Sequence, residues 1–143
     1  TKVLAKNCWK NEFRWVNTSK GFDFRNIGLN EAVVLIGDQC FEYANSFRYQ
    51  IDLANEWKGF TGLPFVFACW TANKKIDKEF CEEFNQALLS GISNIDAVVE
   101  KYGKDGIIKG KELKEYLTTN IDYDFNEDKK KALKLFLEFL KKL

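Results

Sequence analysis

Thr61-Gly62-Leu63-Pro64-Phe65-Val66-Phe67-Ala68-Cys69-Trp70 holds the single proline of the chain and its densest apolar run. Pro64 has no N–H and a fixed φ, which suits the first residue of a strand, and Gly62 suits the position just past a helix. A buried strand is therefore expected from Phe65 to Trp70. Upstream, Asp52 to Phe60 reads as a helix, with an acid at its start and Leu53, Trp57 and Phe60 on one face. Downstream, helical periodicity follows helical periodicity. The stretch divides the chain into two unlike parts.

Working further upstream, Ala32-Val33-Val34-Leu35-Ile36 is continuously apolar, the pattern of a strand covered on both faces in a parallel sheet. Gly37-Asp38 follows, at the strand end where α/β folds build ligand sites. Two readings of Asp38 stay open: ligand contact, or N-cap of a short helix from Gln39 to Asn45. Glu12 to Val16 and Phe47 to Ile51 alternate with period two and read as short extended segments. Asn17 to Asn30 reads as a loop. Thr1 to Lys10, with Val3, Leu4 and Cys8 on one stripe, reads as the later part of a helix.

After Trp70, helices are expected over Asp77 to Ser90, Asn94 to Tyr102, Lys111 to Thr118 and Glu127 to Leu143. The last starts at Asn126, has acids in its first turn, and presents Ala132, Leu133, Phe136, Leu140 and Leu143 as its core stripe, widened by Leu137. Lys129 to Lys131 read as a solvated face. Asp122, Asp124 and Asn126 copy the opening of a calcium loop, but Glu127 stands at the glycine position and Leu133 at the bidentate glutamate, so calcium is not expected.

Composition bounds the function. The chain has 143 residues, 45% hydrophobic and 15% aromatic, enough for a real core, and its net charge of +1 calls for neither nucleic acid nor an anionic membrane as partner. No run approaches the roughly 20 apolar residues of a bilayer span, and no secretory signal opens the chain, so a cytoplasmic protein is expected. The chain starts with threonine and has no methionine, so residue 1 need not be the natural start. Cys8, Cys40, Cys69 and Cys81 are scattered and read as buried free thiols. With no histidine, general acid–base chemistry falls to carboxylates, lysine, tyrosine or water, and no metal site is expected.

Four stretches carry a resemblance: Val34-Leu35-Ile36-Gly37-Asp38; Asp52-Leu53-Ala54-Asn55-Glu56-Trp57 with Thr61 through Ala68; Tyr116-Leu117-Thr118-Thr119-Asn120-Ile121-Asp122-Tyr123; and Leu135-Phe136. In order and spacing the chain resembles the menaquinone biosynthesis enzymes of the futalosine route, chorismate dehydratase above all, over the latter half of that family's usual length.

The resemblance implies an α/β, type II periplasmic-binding-protein-like two-lobe fold. Residues 1–64 would be most of the second lobe, 65–70 a hinge strand, and 71–143 the C-terminal helices of the first lobe. It implies dehydration of chorismate to 3-enolpyruvylbenzoate in an interlobe cleft, without metal or organic cofactor. No catalytic residue carries over. Gly37 and Asp38 are the leading substrate-side candidates, with Thr61 and Phe65 near the hinge. The implied partners are a small carboxylated ligand, and an N-terminal segment or partner subunit covering the C-terminal helices.

A later enzyme of the same route is a related option within the resemblance; its expected histidine base would come from residues outside this stretch. A non-catalytic solute-binding or ligand-sensing module of the same fold is the alternative. An α-rich interaction domain is the third reading.

Overall fold

A computed structural model describes residues 1–143. The chain is 52% helix and contains no strand, which overturns the α/β, periplasmic-binding-protein-like expectation. Glu12 to Val16, Ala32 to Ile36, Phe47 to Ile51 and Phe65 to Trp70 all lack strand structure. Their apolar or alternating patterns report a preference for extended backbone. A strand also needs a neighbour to take its N–H and C=O groups, and no such neighbour exists in this chain. Val34 and Ile36 are exposed as a result.

The helices are α1 (Lys2–Leu4), continuing as a π-helical turn over Ala5–Trp9, α2 (Asp38–Glu42), α3 (Leu53–Thr61), α4 (Lys78–Ser93), α5 (Ile95–Tyr102), α6 (Gly110–Glu115), continuing as a π-helical turn over Tyr116–Asn120, and α7 (Glu127–Leu140). A short 3-10 turn spans Phe24–Asn26. No helix is long and apolar enough to cross a membrane. Two compact units result: Thr1–Phe67 with Phe125–Leu143, and Ala68–Asp124.

Capping chemistry sets the helix starts where the sequence supplies it. Asp52 accepts from the N–H groups of Ala54 at 2.8 Å and Asn55 at 3.0 Å, and Gly62 closes α3 in the left-handed region at φ 71°. Asp77 caps α4 through the Phe80 N–H, and Asn126 caps α7 through the Lys129 N–H. Replacing Asp52 by alanine is expected to cost about 1 kcal/mol, because two first-turn donors lose their acceptor. Chemical denaturation followed by circular dichroism checks it; an unchanged midpoint would deny the cap its role.

The core of the first unit is small and aromatic. Val3, Leu4 and Trp57 are buried, with Cys8, Trp9, Leu53, Phe65, Leu135, Phe136 and Phe139 packed against them. Trp57 meets Phe65, Phe136 and Phe139 edge-on at 5.8, 5.8 and 6.2 Å, the geometry that sets a ring's positive edge on its neighbour's negative face.

In the second unit α5 ends at Gly103, which is buried, and the Gly110 N–H donates back to the Gly103 carbonyl at 3.3 Å. Lys114 on α6 pairs with Asp96 on α5 at 2.6 Å. Trp70 packs edge-on against Phe84, which stacks on Phe80.

Three further expectations are corrected. The four cysteines are free thiols, but Cys40, Cys69 and Cys81 are exposed and Cys8 is half-buried. Lys129 is buried, while Lys130 and Lys131 stay on the solvated face in ion pairs with Glu127 and Asp128. The core stripe of α7 runs through Ala132, Leu135, Phe136 and Phe139, whereas Leu137, Leu140 and Leu143 are exposed.

Candidate functional site

The end of α3 is the most tightly specified local structure in the first unit. The Thr61 hydroxyl donates to the Trp57 carbonyl at 2.8 Å and accepts from the Leu63 N–H at 3.1 Å. Gly62 turns the chain at positive φ, and the Trp57 indole N–H then donates to the Pro64 carbonyl at 3.1 Å. Side chain and backbone thus tie Thr61 to Pro64 across the turn, which delivers Phe65 onto Trp57 and Phe136, the latter at 5.4 Å. Of the four candidate ligand-side residues, Thr61 and Phe65 are brought together here, both half-buried and both engaged in holding the turn and core.

Gly37 and Asp38 are held differently. Gly37 stands at the cap position of α2 with φ 63° and ψ −137°, a conformation that favours glycine, and a Cβ added there would meet nothing within 4 Å. Asp38 is the first residue of α2, so the cap is Gly37 and the acid sits in the first turn. The Cys40 N–H donates to the Gly37 carbonyl at 2.9 Å, and both candidate residues are exposed.

Two features went unread in the sequence. Trp9 donates its indole N–H to Glu56 at 2.6 Å, pinning the π-helical turn to α3; residues so far apart carry no local signal of their pairing. An open groove of about 380 Å³ runs along α7, lined by the apolar Phe125, Leu133 and Leu137 and by the charged Lys130, Lys134, Glu138 and Lys141. Its signal was the apolar width of α7, taken above as one broad core stripe.

Electrostatics single out few groups. In the second unit, burial and the neighbouring Tyr116 raise the Tyr123 phenol above its ordinary value. On α7, the hydrogen bond and charge of Lys130 lower the Glu127 carboxyl. Neither belongs to the Gly37–Asp38 turn or to the Thr61–Phe65 turn.

The sequence profile described as menaquinone biosynthesis matches residues 1–142. The chain belongs to that family. A chorismate dehydratase from Campylobacter jejuni subsp. jejuni serotype O:23/36 (strain 81-176) is 30% identical over 113 residues, covering 77% of this chain and 49% of that protein. The chain thus spans about half the length of this curated relative. No solved structure matches it. Within the family-matched region lie both turns described above and the Trp57 cluster.

Proposed function

We propose that the chain is part of a menaquinone-pathway lyase that dehydrates chorismate to 3-enolpyruvylbenzoate. The observation that carries this reading is the family match over residues 1–142, sharpened by the 30% identity to a chorismate dehydratase. The reaction removes water and leaves an aromatic ring. It needs a base for the ring proton and an acid for the departing hydroxyl. Among the four candidate positions only Asp38 is titratable, and it is exposed; as the family resemblance implies, this reading places the reacting groups on the part of a family-length protein outside the match. The contribution of this chain is then a scaffold: the Trp57 core fixes the Thr61–Phe65 turn, and Gly37-Asp38 offers an open ligand-side turn.

The test is product formation. Chorismate is incubated with the chain alone and with the chain joined to the half of the C. jejuni protein that lies outside the match, and 3-enolpyruvylbenzoate is followed by mass spectrometry. Product is expected from the joined form only. A folded, soluble joined form that leaves chorismate intact would refute the reading, and binding without turnover would replace it with solute binding.

A further inference from the structure

We draw no further inference here: the strongest candidate, the exposed aromatic cluster of Phe13 and Trp15 beside Trp9 in the first unit, with the Lys2 ammonium over the Trp15 ring, is an unpartnered surface, and nothing in the structure shows what covers it.

Discussion

Trp57→Ala is expected to lower the stability of the first unit by about 3–5 kcal/mol, the range for removing a buried large aromatic. Trp57 is 1% exposed and touches rings from two separate parts of the chain, Phe65 after the turn and Phe136 and Phe139 on α7. Truncation leaves a cavity bounded by those rings, and it also strands the Pro64 carbonyl that the indole N–H satisfies. Against a total stability of roughly 5–15 kcal/mol for a typical domain, the loss is a large fraction of the whole. Trp57→Phe keeps most of the ring volume and gives up the hydrogen bond, so its cost is expected near 1–2 kcal/mol. Urea unfolding monitored by far-ultraviolet circular dichroism gives both values. Equal effects of the two substitutions would show that the hydrogen bond, and not the ring packing, holds the core.

Gly103→Ala carries the next largest expected effect, about 1–3 kcal/mol from overpacking against backbone. A Cβ on Gly103 would sit 2.5 Å from the Val99 carbonyl oxygen and 3.2 Å from the Gly110 nitrogen. Neither atom is the free end of a side chain, so relief requires the α5 end and the Gly110 strap to move apart. The Gly110-to-Gly103 hydrogen bond lies in the path of that movement. Amide hydrogen exchange is expected to accelerate at Gly110 and along α6 in the variant, while α3 and α7 in the other unit keep their protection. Unchanged exchange at Gly110 would show that the strap yields without cost.

These two residues illustrate what the sequence discloses. Helix boundaries were legible wherever a side chain supplies the terminal hydrogen bonds: Asp52, Asp77 and Asn126 all cap the helices they precede, and Gly62 ends α3. Such caps are local, so a few residues suffice to read them. Strands were not legible, because Ala32–Ile36 and Phe65–Trp70 show only that extended backbone suits them, and a ladder requires a partner elsewhere. On α7 the apolar arc was recognised but its buried half was misplaced, since periodicity gives the width of a stripe and not which part another element covers. The candidate residues divide in the same way. Thr61 and Phe65 were named as substrate-side candidates beside an expected hinge strand; that strand is absent, and the structure shows both residues holding the turn and core at Trp57. Family membership was legible from the same stretches and stands on the match over residues 1–142.

Growth of a menaquinone-requiring bacterium that lacks its own chorismate dehydratase tests the central claim most directly. Expressing this chain joined to the unmatched half of the C. jejuni protein is expected to restore growth without added menaquinone, while either half alone does not. No growth from a joined protein shown to be soluble and folded, in cells that grow when menaquinone is supplied, would contradict the account.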